Sequence, residues 1–288
     1  ERVDAVRGGG RELRRGGNQV HRAAKDARAP RPRAPSARRS IVAPMPPEDP
    51  STPPPADRPP AVTPARAAQM EADLRRLLAT VRDEHLAALL ARVFDPGTAT
   101  WARFRVAPAA KRYHQAYRHG LLEHTLTVAQ GVSALAATFP GIDRDLAVAG
   151  ALLHDIGKLD AYAEGPDGIE LTDAGRLQGE IALGYHRVRR LIEERDGFPP
   201  ALAQALLHII LSHHGSLQHG SPVVPATREA TLVHMVDNLG GRLGSFDRLE
   251  RDLPAGAAWS GWDRALGGGA WFPGNARAPA DEPPALAA

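Results

Sequence analysis

Histidine and carboxylate side chains interrupt a series of otherwise apolar segments. They are His124 in LLEHTLTV, His154-Asp155 in ALLHDIGKL, Glu180 in LQGEIALG, His213-His214 in IILSHHGS and Asp237 in LVHMVDNL. A carboxylate set among buried aliphatic side chains costs on the order of several kcal/mol unless something compensates it. A salt bridge would serve, and so would a metal ion. Each residue alone has a plain explanation as a satisfied core histidine or a helix-end group. Recurrence on four or five successive apolar segments instead suggests side chains pointing at one shared interior point, as in carboxylate–histidine metal proteins. The chain has no cysteine, so any metal is held by oxygen and imidazole donors. That set suits Mn²⁺, Fe, Co²⁺ or Mg²⁺, and affinity order alone does not choose among them. Lys158 follows His154 by one helical turn, and it is one of only three lysines in a chain with 33 arginines. Such a bias favours a specific role for it.

Helices must carry these residues. Apolar positions recur at helical spacing from Ala67 until Asp95-Pro96-Gly97, then again from about Leu121 to Phe139, which Pro140-Gly141 closes. Asp143 is a candidate N-cap for the His154 helix, which should break near Gly157. EGPDGIELTDAG has the turn residues of a short hairpin. Three further helices follow, the second with Pro199 or Pro200 in its first turn and the last weakened at Gly240-Gly241. The expected fold is all-α, a helical bundle over residues 67–253 large enough for a sizeable core. Residues 254–288 form a Gly/Ala/Pro-rich extension whose scattered Trp259, Trp262, Trp271 and Phe272 either cap the bundle or stay loosely ordered.

Residues 1–66 differ in kind. They hold 13 of the 26 prolines and 14 basic against 7 acidic residues, whereas the remainder is net acidic. Too little apolar surface exists there to offset chain entropy, so a disordered basic tail is expected. No apolar run approaches the roughly 20 residues that span a bilayer, and no signal-peptide pattern opens the chain. The expectation is a cytoplasmic protein without a membrane partner.

The order His124, His154-Asp155, Asp237 resembles the H…HD…D signature of the HD superfamily of metal-dependent phosphohydrolases. GLLEHTL, AGALLHDIGKL, LTDAGRLQGEIALG, IILSHHGSLQHGSPVVPATREA and LVHMVDNL are similar to the branch of YhaM-type 3′–5′ exoribonucleases, over roughly residues 108–245. Two departures stand out. The oligonucleotide-binding fold that usually precedes the HD domain in that branch is not expected here, since 1–66 is low in complexity and 67–95 is helical. Glu180 stands where the branch tends to have histidine, and its carboxylate can still bind a hard cation. The resemblance implies an HD-domain bundle holding two divalent ions, Mn²⁺ foremost, with Fe, Co²⁺ or Mg²⁺ also compatible. His124, His154, Asp155 and Asp237 would hold the first, Asp155 bridging, and Glu180, His213 and His214 the second. It further implies hydrolysis of single-stranded RNA or DNA to 5′-mononucleotides through a metal-bound hydroxide, with Asp155 and Lys158 catalytic and Lys158 on a non-bridging phosphate oxygen.

Residues placed to meet substrate are less sharply marked. Lys111, Arg112 and Arg118 form a basic cluster with Tyr113 and Tyr117 available for stacking on single-stranded nucleic acid. Gly220 and Ser221 open a loop whose small residues let backbone N–H groups approach a phosphate, and Arg228 can reach a phosphate or cover surface. His186, His208, His219 and His234 read as structural or surface residues. Three alternatives remain: hydrolysis of nucleotides or another small phosphate ester, a di-iron oxygenase centre, and a degenerate HD domain acting as a binding module. A homo-oligomer is compatible with all of them.

Overall fold

The structure, a computed structural model, describes residues 62–111, 115–165 and 168–276, with the side chains of 275 and 276 excepted. The basic tail up to residue 61, Arg112, Tyr113 and the last part of the C-terminal extension lie outside the described residues. The chain runs α1 (Pro64–Leu78), α2 (Glu84–Phe94), α3 (Ala99–Phe104), α4 (Gly120–Ala136), α5 (Arg144–Leu153) and α6 (Lys158–Ala161). A hairpin of β1 (Tyr162–Gly165) and β2 (Gly168–Leu171) follows, then α7 (Asp173–Glu193), α8 (Pro200–Ser212) and α9 (Arg228–Arg251). The all-α expectation holds. The hairpin falls where the turn residues placed it, pairing antiparallel with Tyr162 opposite Leu171.

Short polar side chains start most of these helices by accepting a hydrogen bond from an otherwise orphaned backbone N–H. Thr63, Asp83, Thr98, Asp143, Thr172 and Thr227 all do so. The core is built around α5, whose residues from Leu146 to Leu153 are all buried. It packs against α4, α8 and α9, and α7 closes the side formed by α6 and α8. Each buried aliphatic side chain contributes about 1.5–3 kcal/mol relative to exposure, so a fully enclosed helix fixes its neighbours firmly. That rigidity matters because α4, α5, α8 and α9 each deliver a candidate ligand or lead directly into one. Among the described residues no helix is long and apolar enough to cross a membrane.

Three local expectations change. The helical stretch beginning near Ala67 is two helices, parted where Asp83 caps α2. α5 ends at Leu153 rather than near Gly157. α9 runs unbroken through Gly240-Gly241, because Leu232, Val233, Val236, Ser245 and Leu249 bury the same face on both sides of the glycines. In the C-terminal extension, Ala270 and Phe272 pack on Leu249 at the end of α9, while Trp259, Trp262 and Trp271 stay exposed.

Candidate metal centre

The HDIG stretch is a tight turn. Ile156, Lys158, Leu159 and Asp160 each donate a backbone hydrogen bond three residues back, to Leu153, Asp155, Ile156 and Gly157. Winding three residues per turn stacks residues i and i+3 on one side. Asp155 and Lys158 are such a pair, and Lys158 Nζ donates to Asp155 Oδ2 at 2.7 Å. The break of α5 at His154 is therefore what directs the acid and the ammonium together.

Around Asp155 the other helices supply donors. His124 Nε2, from α4, lies 3.1 Å from Asp155 Oδ2 and 3.2 Å from Asp237 Oδ1 of α9. It also lies 3.2 Å from His154 Nε2, which is itself 3.3 Å from Asp155 Oδ2 and 3.8 Å from Asp237 Oδ1. His124, His154 and Asp155 are buried and each offers an atom toward one point, so this trio can hold a metal ion. Donors about 2.0–2.2 Å from one divalent ion sit near 3 Å apart, which these separations match.

A second observation tests the fit independently. Asp155 Oδ1 and His213 Nε2 are both buried and neither has a hydrogen-bond partner. They face each other at 3.6 Å, beyond hydrogen-bond range but suited to two donors flanking a cation. An unpaired buried polar atom is costly, and here two of opposite helices share one gap. Next to them the His213 and His214 rings stand 4.4 Å apart, and His214 Nε2 lies 3.6 Å from Glu180 Oε1. His124, His154 and His213 thus surround Asp155, Asp237 joins through His124 and His154, and Glu180 meets the group through His214.

Three of the histidines are held in the tautomer that ligation through Nε2 needs. Nδ1–H of His154 donates to the Ala151 carbonyl at 2.7 Å, that of His213 to Ile210 at 2.7 Å, and that of His214 to His219 at 2.9 Å. Each leaves Nε2 with its lone pair toward the cluster, the supporting arrangement common around metal-bound imidazoles. His234, which sequence reasoning set aside, extends this support. Its Nδ1–H donates to the His213 carbonyl at 2.8 Å, and its ring fills the space beside Gly215, where a Cβ would lie 2.0 Å from it. Gly215 has φ 80°, so the turn after the histidine pair depends on glycine twice over. Replacing His234 by alanine is expected to weaken metal binding by about 10–100-fold, as loss of an outer hydrogen-bond partner typically does. Titration calorimetry with Mn²⁺ checks this, and unchanged affinity would show that His234 only fills space.

Charge is balanced without metal by protonation. Burial alone lowers the His124 pKa, but its hydrogen bonds to Asp155 and Asp237 outweigh that and raise it to about 9. Burial likewise opposes ionisation of Asp155 and Asp237, yet Lys158 and the histidines hold Asp155 well below the usual carboxylate range, and His124 and His154 do the same for Asp237. Lys158, though desolvated, keeps its proton through Asp155. Because His124 rises from 6.5 to about 9 on folding, its contribution to stability is complete below pH 6.5 and fades as pH climbs through 9. A metal ion must displace that proton. Metal affinity is therefore expected to strengthen about tenfold per pH unit between roughly 6.5 and 9, measurable by Mn²⁺ titration at several pH values. A flat profile would remove His124 from the ligand set.

Two glycines place Glu180. Gly179 breaks α7 with φ 76°, ψ 154°, a kink immediately before Glu180. Gly157 lets the HDIG turn lie against α7: a Cβ there would meet the Glu180 carbonyl oxygen at 2.0 Å and the Gly184 nitrogen at 2.4 Å.

Several expected substrate contacts lie elsewhere. Arg228 is exposed and its Nη1 donates to the Gly141 carbonyl at 2.9 Å. At the opposite end of α9's first turns from Asp237, roughly 13 Å along the axis, it clamps the α4–α5 turn. Tyr117 is half-buried and its hydroxyl donates at 2.5 Å to Oε2 of Glu123, the residue preceding His124. Lys111 and Arg118 are exposed. Gly220 is exposed with φ 95° and directly follows His219, whose carbonyl accepts from His214, while Ser221 is buried with Oγ unpartnered. Sequence reasoning missed Tyr162, the first residue of β1. Burial raises its phenol pKa first, and Glu180, Lys158 and Asp155 lie near enough for their charges to act on it.

Comparison with known proteins agrees with this geometry. Residues 121–241 match the HD domain family, a span that starts three residues before His124 and ends four after Asp237. The chain is 36% identical over 154 residues to the 3′-5′ exoribonuclease YhaM of Bacillus subtilis, covering 53% of this chain and 48% of that protein. It is 36% identical over 148 residues to the protein of that name from Bacillus licheniformis, covering 51% and 46%, and 34% identical over 148 residues to that of a Geobacillus species, covering 51% and 45%. The chain thus spans about half the length of the curated relatives it matches. No solved structure matches significantly.

Proposed function

For a chain that carries an HD domain over residues 121–241, we propose the activity of a divalent-metal-dependent phosphodiesterase. It trims single-stranded RNA, or single-stranded DNA, from the 3′ end and releases 5′-mononucleotides. The observation that carries this reading is the pair of orphaned buried atoms, Asp155 Oδ1 and His213 Nε2, close to His124, His154 and Asp237 and beside one ammonium. His124, His154, Asp155 and Asp237 would hold one ion, and Glu180, His213 and His214 a second, with Mn²⁺ the ion expected. Bound there, divalent ions supply Lewis acidity that activates water and offsets phosphodiester charge.

The protein's own groups do the rest. Asp155 anchors Lys158 through Oδ2, which uses one of the three ammonium N–H donors. The remaining donors can meet a non-bridging phosphate oxygen, and the fixed positive charge stands where negative charge accumulates as water adds to phosphorus and the 3′-oxygen departs. The enclosing helices keep bulk water from the cluster, which strengthens these interactions. The names of the curated relatives, exoribonucleases, favour RNA as substrate.

A second reading is a phosphohydrolase acting on nucleotides. Its support is Arg228, whose engagement with Gly141 removes one contact that a long strand could use. Incubating the purified protein with Mn²⁺ and a 5′-labelled single-stranded RNA separates the two. Shortening from the 3′ end with 5′-mononucleotides as product supports the exonuclease. Turnover of free nucleotides with the oligonucleotide left intact would establish the second reading instead, and inertness toward both would reject phosphohydrolysis.

A further inference from the structure

Lys158 faces more than Asp155. It also lines a groove of about 190 Å³ whose other polar walls are Arg103, Tyr162 and Glu164. The floor between them is small and apolar, formed in part by Ala107, Pro108 and Ala163. We propose that this groove is a nucleobase subsite, which takes the base of the nucleotide whose phosphate lies against Lys158 and stacks it on Tyr162. The inference rests on the phosphodiesterase reading above and adds where the substrate's base goes.

Size and chemistry both select the occupant. Pockets for drug-sized ligands occupy roughly 300–1,000 Å³, so this smaller groove suits one planar ring system. An aromatic ring with an adjacent guanidinium is the usual platform for an unpaired base. Glu164 offers an acceptor to the exocyclic amino groups of adenine, cytosine and guanine. The same carboxylate disfavours a second phosphate in this position, so the groove is not a continuation of the backbone track.

The groove is held in fixed relation to the metal centre. Arg103 donates to the Leu159 carbonyl and to Asp160 Oδ1, at 3.2 Å for the latter, and Arg187 Nε holds the other Asp160 oxygen at 3.1 Å. Leu159 and Asp160 directly follow Lys158 in α6. In the floor the Ala107 carbonyl accepts from Leu121 N at 2.9 Å, and the neighbouring Val106 carbonyl accepts from His119 N at 3.2 Å. Those bonds tie the floor to the start of α4, the helix that carries His124. Arg103 is thus anchored to α6, which carries Lys158, and the floor to α4, which carries His124, while Tyr162 follows α6 directly as the first residue of β1.

Binding without turnover tests the proposal. In EDTA, fluorescence anisotropy is measured with a 5′-labelled single-stranded RNA and with the same strand carrying an abasic 3′-terminal residue. The wild-type protein should bind the complete strand about 5- to 150-fold more tightly, the range expected for one stacked base. Tyr162→Leu removes the platform, and Ala163→Ile narrows the groove from an exposed position that tolerates bulk. Both variants should bind the complete strand only as well as the abasic one, with affinity for the abasic strand unchanged. Equal binding of the two strands by wild type, absence of binding, or a preference retained in both variants would overturn the subsite. If the base preference is present but Mn²⁺ brings no hydrolysis, the phosphodiesterase reading fails and the nucleobase site stands. Hydrolysis without base preference rejects the subsite alone.

Discussion

Asp155→Ala is expected to lower Mn²⁺-dependent phosphodiester hydrolysis by more than about 10³-fold, beyond the 10–100-fold typical of an outer hydrogen-bond partner. Asp155 meets four side chains of the cluster. Its Oδ2 contacts Lys158, His124 and His154, and its Oδ1 faces His213. Removing it takes away a ligand atom on each side and also leaves the Lys158 ammonium desolvated without its partner. Breaking a buried pair in this way costs about 3–5 kcal/mol, so the melting temperature of the variant should fall as well. Lys158→Gln separates the two effects. It spares every proposed ligand, so metal content should persist while turnover drops. Loss of metal in Lys158→Gln would mean that Lys158 sets the geometry of the centre rather than contacting phosphate. Activity near wild type in Asp155→Ala would remove Asp155 from the mechanism.

Gly157→Ala carries the second large effect, from crowding rather than charge. The added methyl would lie 2.0 Å from the Glu180 carbonyl oxygen and 2.4 Å from Gly184 N, both backbone atoms of α7. Backbone cannot rotate away as a side chain can, so the HDIG turn and α7 must separate. Overpacking of a core costs about 1–3 kcal/mol, and for a domain of this size each kcal/mol lowers Tm by about 2–4 °C. Because the clash falls on Glu180 itself, metal binding at the Glu180–His213–His214 side should weaken more than at His124. Thermal melting and Mn²⁺ titration of the variant check both parts. An unchanged Tm with intact metal binding would show that the turn can shift without consequence.

The clustered residues were legible because ionisable side chains on apolar helices are costly unless something compensates them. His124, His154, Asp155 and Asp237 could be picked out on that ground, and the bundle brings His124 and His154 within 3.8 Å of each other and of both carboxylates. What periodicity could not convey was the turn that begins at His154. Its bonds run three residues back, and the apolar pattern through Leu159 continues regardless. Tyr162 escaped notice for a related reason: it opens a strand, where a tyrosine is an ordinary β residue, and only the packing of the hairpin beside Lys158 gives it significance. Arg228 and His234 show the complementary limit. One hydrogen bond to Gly141 and one to the His213 carbonyl decide their roles, and both partners are distant in sequence. Gly240-Gly241 signalled a weak point that buried contacts on either side override, since tertiary packing outweighs a propensity cost of about 1 kcal/mol per glycine.

All of these readings depend on the buried cluster being a metal centre. The most direct measurement is a Mn²⁺ binding isotherm for the wild-type protein and for His154→Ala, each first stripped with EDTA and compared at one pH. The account predicts saturable binding of about two ions per chain to wild type, with the His124-side ion lost in His154→Ala. Absence of divalent metal binding by the folded wild-type protein, or an identical isotherm in the variant, would contradict it.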